Sequence, residues 1–164
     1  MLRHVLAVAM ACVAAGPALA LSCLPWGPQD AYLEADAATA SYVVVEGRLS
    51  FDESLLPKTD WEHQEATPRE TRIPARVQGR ALQRGGFLTP YEGDVTLEVL
   101  CYGPWCSSAV DGADYVMFLE QRDGERVLQV NPCGGYAFDA QSGDAARAVL
   151  ACHQGRKCKP SKQR

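Results

Sequence analysis

The chain is poor in the residues that most often carry chemistry. Only three of its 164 residues are histidine: His4, His63 and His153. Hydrolysis needs a base beside a nucleophile, and neither His63 nor His153 lies in a recognisable nucleophile motif. Carboxylates recur along the whole chain and single out no acid–base pair, so the sequence points away from an enzyme. No D-x-D-x-D-G order is present to make a calcium loop, and no internal repeat is visible. The single asparagine, Asn131, precedes Pro132, which leaves no N-glycosylation sequon. No apolar run approaches the roughly 20 residues that a spanning helix needs. Lysine is scarce as well, four against twelve arginines.

What is present begins with a leader. Arg3 and His4 form a short polar start, and Val5 to Ala15 form an uncharged apolar run of eleven residues. Gly16-Pro17 breaks it, and Ala18-Leu19-Ala20 supplies the small residues that a signal peptidase reads. Residues 1–20 are therefore expected to be a signal peptide, and the mature chain to start at Leu21 in the periplasm or outside the cell. The arginine excess, with the Ala-rich leader, points to a bacterial exported protein. Cys23 also stands where a lipoprotein would be lipidated, but Ala20-Leu21-Ser22 is a poor lipobox, which usually has Leu three residues before the cysteine.

Charge is unevenly spread. Residues 21–154 hold ten Lys and Arg against twenty Asp and Glu, a net of −10. An acidic body repels phosphate backbones, which argues against nucleic acid as a partner. The last nine positions hold five basic residues: Arg156, Lys157, Lys159, Lys162 and Arg164. A basic C-terminal tail over 155–164 is read as a solvated, frayed end.

Six cysteines follow the leader: Cys23, Cys101, Cys106, Cys133, Cys152 and Cys158. An even number in an exported chain argues for three disulfides, with the pairing left open by count alone. Cys101-Tyr-Gly-Pro-Trp-Cys106 has four residues between its cysteines rather than the two of a redox motif, so it reads as a loop staple. Cys152, His153 and Cys158 fit no usual zinc spacing. The carboxylates Asp52, Glu53, Asp60, Glu62, Glu65 and Glu70, with His63 among them, read as a solvated loop. No metal and no cofactor is implied.

The pattern along the chain is mostly β. Gln29 to Asp36 supports two turns of helix behind Pro28. Ala40 to Leu49 is a strand, with Tyr42-Val43-Val44-Val45 apolar enough to be buried on both faces. Ser50 to Glu70 is a long irregular segment. Arg72 to Leu82 and Asp94 to Leu100 alternate as half-buried strands, and Pro74 marks an edge or a bulge. Gly85-Gly86 turns the chain. Tyr115–Leu119 and Val127–Val130 form a hairpin across Asp123-Gly124. Asp144 to Cys152 is an amphipathic helix capped by Ser142 or Asp144. Five short strands with a helix at each end fit a small barrel or a sandwich.

One resemblance orders these pieces. Cys23-Leu24-Pro25, Pro28-Gln29, Ala31-Tyr32, Asp36 and the strand ending Val45-Glu46-Gly47, followed by the C-terminal hairpin and Cys133, resemble the netrin-like domain of tissue inhibitors of metalloproteinases. The likeness covers most of the chain after the leader and is poorest between Phe51 and Gly86. It implies an all-β fold with flanking helices over residues 21–154: a five-stranded oligonucleotide/oligosaccharide-binding-type (OB) barrel, stapled by disulfides. It also implies the pairs Cys23–Cys133, Cys101–Cys106 and Cys152–Cys158.

In those inhibitors a Cys-x-Cys unit opens the mature chain, and the first α-amine and carbonyl chelate the target's zinc. The resemblance places Leu21 on the chelating residue, Ser22 on the residue that enters the specificity pocket, and Cys23 on the second cysteine. Leu21 has no disulfide to tie it, and Leu33 replaces a third family cysteine. The function expected is therefore a non-enzymatic binding module for a protein or glycan. Its contact surface is a ridge of Leu21, Ser22, Cys23, Leu24, Pro25 and Trp26 together with Trp105. The alternative is a zinc-metalloproteinase inhibitor acting through Leu21. Trp26, Trp61 and Trp105 are the large amphipathic side chains; they either mark that surface or cover the barrel ends.

Overall fold

The computed structural model describes residues 21–161. The expected signal peptide, residues 1–20, lies outside them. Helix α1 is Pro28–Ala37 and helix α2 is Asp144–His153. The strands are β1 Tyr42–Phe51, β2 Glu70–Gln83, β3 Gly86–Tyr102, β4 Trp105–Cys106, β5 Asp114–Arg122, β6 Glu125–Asn131, β7 Gly134–Gly135 and β8 Ala137–Asp139. Three disulfides join Cys23 to Cys133, Cys101 to Cys106 and Cys152 to Cys158.

Five of the strands close on themselves. β1, β2 and β3 form an antiparallel meander, and β5 returns to the free side of β1. β6 leaves β5 after three residue pairs and runs parallel to β3 over Thr96–Val99. That parallel step completes the ring β1-β2-β3-β6-β5. Inside it lie Val45, Leu49, Ile73, Val77, Leu97, Leu119 and Leu128, all fully buried. The outer face of β5 carries Val116 and Phe118. They pack under Tyr136 and Phe138 and belong to one core with Ala31 of α1 and Val149 of α2. Residues Val116 to Leu119 are thus buried on both faces. On β1, where the sequence suggested two-sided burial, only Val45 and Leu49 are fully enclosed. Tyr136 and Phe138 lie over β5, and on β1 Tyr136 reaches only Tyr42 at the strand's start.

Turn chemistry sets the hairpins. Asp123 and Gly124 both take positive φ, 50° and 87°, so β5 and β6 are joined by the two-residue turn that matches strand twist. β2 ends within two residues of the expected bounds, whereas β3 starts eight residues before Asp94, and the two meet at Arg84-Gly85. In the added part of β3, Phe87 and Tyr91 pack on the core, but the exposed Leu88, Thr89 and Pro90 between them break the apolar alternation. Pro74 lies just beyond the last β1–β2 pair, Phe51 with Ala75, so its missing N–H interrupts no two-sided ladder. The irregularity in β2 falls instead at Ala81/Leu82. Gly143, in the left-handed region, is the N-cap of α2, and Ser142 Oγ accepts the N–H of Asp144. The segment after α2 is anchored rather than frayed: Cys158 is bonded to Cys152, and Ser161 is hydrogen-bonded to Asp30.

Gly47 and Gly79 face each other across β1 and β2. A Cβ on Gly79 would stand 2.6 Å from the Cα of Gly47, far inside van der Waals contact and against backbone that cannot swing aside. The pair lets β1 and β2 approach closely at the wall of the ring. Gly79→Ala is expected to lower unfolding free energy by about 3 kcal/mol, since added bulk at such a site forces backbone shifts. Urea denaturation of wild type and variant measures this, and an unchanged midpoint would contradict the close packing.

Candidate functional site

Residues 21–27 have no regular structure, yet they are fixed at two points. The Cys23–Cys133 disulfide ties them to the end of β6, with the Cα atoms 5.2 Å apart. The Trp26 indole N–H donates to the carbonyl of Gly135 at 2.8 Å, and its ring meets Tyr136 edge-on with centroids 6.4 Å apart. Gly134 is required beneath it: its φ is 145°, and an added Cβ would lie 2.6 Å from Trp26 Cγ. Trp26 is accordingly half-buried and serves as an anchor. The residues before it stay at the surface; Leu24 is 69% exposed.

Trp105 reaches the same end of the molecule through a second staple. Gly103-Pro104 turns β3 into β4, and Cys101 and Cys106, directly opposite in register, are joined by their disulfide. The long segment after β1 then folds over this turn. Thr59 Oγ1 donates to the carbonyl of Pro104 at 2.8 Å, across 45 residues of sequence. The result is a groove of about 660 Å³ lined by Leu21, Leu56, Trp61, Pro104, Trp105 and Pro132. Trp61 is 63% exposed on its rim.

The expected ridge residues are thus distributed over three hollows. Leu21 and Trp105 share the groove. Ser22, Cys23, Leu24 and Trp26 line a smaller hollow of about 340 Å³ with Glu34, Gln129 and Tyr136. Leu24 and Pro25, again with Trp26, also border a third hollow facing the C-terminal segment. Sequence reasoning missed the contribution of Leu56 and Trp61, which sit among carboxylates. The tryptophan was the one available signal, and nothing local says that Thr59 reaches Pro104.

Three carboxylates of that segment are spent on backbone. Asp52 accepts from Ser54 N–H, Asp60 from Glu62 and His63 N–H, and Glu53 from Asp111 N–H. The Ser54 hydroxyl and N–H hold the Asp52 carboxyl below the usual carboxylate range, and the N–H groups of His63 and Glu62 do the same for Asp60. His153 Nδ1 lies 3.2 Å from the hydroxyl of Tyr32, and its cysteine neighbours are in a disulfide. Among the described residues no three His, Cys, Asp or Glu side chains converge as they would around a metal ion.

A buried ion cluster lies elsewhere, on the outer wall of the ring. Glu98, 2% exposed, accepts from Arg72 at 2.9 Å, Arg122 at 2.8 Å and Gln129 at 2.8 Å. Arg122 also binds Glu120, and that hydrogen bond, with the two carboxylate charges, holds its guanidinium firmly protonated. Thr96 and Arg72 together keep Glu125 ionised below its ordinary range. Every member is partnered, so the cluster stitches β2, β3, β5 and β6 together and leaves no group poised for chemistry.

Under Trp26, the Tyr136 hydroxyl donates to Glu34 at 2.6 Å. Burial first, then this bond and the neighbouring Tyr42, push the Tyr136 phenol far above its ordinary value. The unfolded chain would ionise this group near pH 10 while the folded chain would not. Stability from this source is therefore intact below about pH 10 and is lost as pH rises further. Tyr136→Phe should cost about 1 kcal/mol at neutral pH, through the lost bond to Glu34, and should flatten the alkaline fall in stability. Thermal melts of both proteins between neutral and strongly alkaline pH measure this; parallel curves would contradict it. No family model, no curated protein and no solved structure matches this chain.

Proposed function

We propose that the chain is an exported, non-enzymatic binding module of the netrin-like class, built on an OB-type barrel. It meets a protein or glycan partner at the groove between its N-terminal ridge and the Cys101–Cys106 loop. The barrel assignment is supported by the five-strand ring, its Greek-key return of β5 to β1, and the helix at each end. The leader and the three disulfides support export.

The observation that carries the function is that Leu21, Trp105 and the exposed Trp61 line one groove. Two staples and the Thr59–Pro104 hydrogen bond hold Cys23 and the Trp105 turn in place before any partner arrives, which limits the ordering cost of binding to the two residues ahead of Cys23. Aromatic side chains around a concave apolar surface are the usual energetic centre of an interface. The second reading, inhibition of a zinc metalloproteinase, draws on the same tether. Only Leu21 and Ser22 extend beyond Cys23, so holding the Leu21 amine and carbonyl on a zinc ion orders two residues, at about 1–2 kcal/mol each.

Two sets of proteins separate these readings. One starts at Leu21 or carries a single extra residue before it, and is tested against a panel of zinc proteases at micromolar protein. Inhibition that is present in the first form and abolished in the second would establish the inhibitor. The other set is wild type and a Trp61→Ala/Trp105→Ala variant, screened on glycan arrays and by cross-linking to exported proteins. A binding module should tolerate the extra residue and lose about tenfold or more in affinity with both indoles removed. A partner that binds both forms equally would move the site away from the groove.

A further inference from the structure

The segment after α2 holds the densest positive charge in the chain, and the structure does not leave it loose. The N–H and the hydroxyl of Ser161 donate to Asp30 at 3.0 and 2.6 Å. Asp30 also accepts the N–H of Gly27 at 2.9 Å. One carboxylate therefore joins the start of α1 to the end of the described chain. Lys159, Pro160 and Ser161 consequently line one hollow with Leu24, Pro25 and Trp26.

Arg72, Arg76, Arg122 and Arg147 each pair with a carboxylate. Arg156, Lys157 and Lys159 are exposed and, among the described residues, make no ion pair. Lys58, Arg69, Arg80 and Arg84 are also exposed without an ion pair among the described residues, but only after α2 do three such cations fall within four positions. Lys162 and Arg164 follow in the sequence. Leu24, the most exposed large apolar side chain among the described residues, lines the same hollow as Lys159.

We propose that this corner docks on an anionic lipid surface. An apolar wedge flanked by unpaired cations matches the boundary of such a bilayer: Leu24 enters among the acyl chains while the ammonium groups stay at the phosphates. A soluble polyanion would use the cations and gain nothing from Leu24 and Pro25. Each cation near an anionic leaflet contributes about fivefold in affinity, so a handful of them with one leucine gives reversible association that falls with salt. The patch is separate from the Trp61–Trp105 groove and does not depend on it.

Co-sedimentation with vesicles tests this, using the purified chain beginning at Leu21. Vesicles containing phosphatidylglycerol should pellet the protein at low salt and release it as the Debye length shrinks to about 8 Å; pure phosphatidylcholine should not pellet it. Lys157→Glu/Lys159→Glu should weaken binding by at least about 25-fold, and Leu24→Ser by about tenfold. All three positions are exposed, so the fold is not at stake. Leu88→Ser, at an exposed leucine outside both the corner and the groove, should leave pelleting unchanged. No pelleting with the anionic vesicles, or equal pelleting with the neutral ones, would overturn the proposal. So would binding to dextran sulfate as tight as to vesicles, if Leu24→Ser affected neither.

Discussion

The parallel pairing of β3 with β6 is short, four residue pairs from Thr96–Val127 to Val99–Val130, and the rest of the molecule depends on it. Without it the strands would form an open, strongly twisted sheet with two edges. With it, one face of every strand in the ring becomes an enclosed interior. The step is reinforced on its outer side by Glu98, which binds Gln129 directly across the pairing and draws in Arg72 from β2 and Arg122 from β5. An apolar seam inside and a saturated polar knot outside hold the same four pairs.

Closure also explains why the interesting end is where it is. β6 leaves the ring at Asn131, and the disulfide at Cys133 catches the N-terminal segment at that point. β3 leaves it at Tyr102, and the Cys101–Cys106 staple turns the chain back there. Because β3 and β6 run parallel, both exits fall at one end of the ring. Strand direction and the two staples together bring Leu21 and Trp105 to one groove, although 84 positions separate them in the sequence.

Much of this was legible in the residues, and what was not has physical reasons. Tyr42–Val45, the Asp123-Gly124 turn and the amphipathic Asp144–Cys152 stretch carry local signals strong enough to stand alone. The first half of β3 does not, because the exposed Leu88, Thr89 and Pro90 interrupt the alternation between Phe87 and Tyr91. Anchoring of the basic segment was equally hidden. It rests on Ser161 meeting Asp30 across 131 residues, and neither residue announces the other. In the groove, Trp105 sits inside a visible cysteine loop. Trp61 arrives through one hydroxyl, that of Thr59, within a segment whose composition reads as solvated loop.

The Asp30 carboxylate has a topological consequence as well. It brings segments close to both ends of the described chain to a single corner, with Leu24-Pro25 on one side and Pro160-Ser161 on the other. A domain whose ends are neighbours can be re-threaded: a short linker can bridge them, and the chain can be reopened at an exposed turn such as Asp123-Gly124.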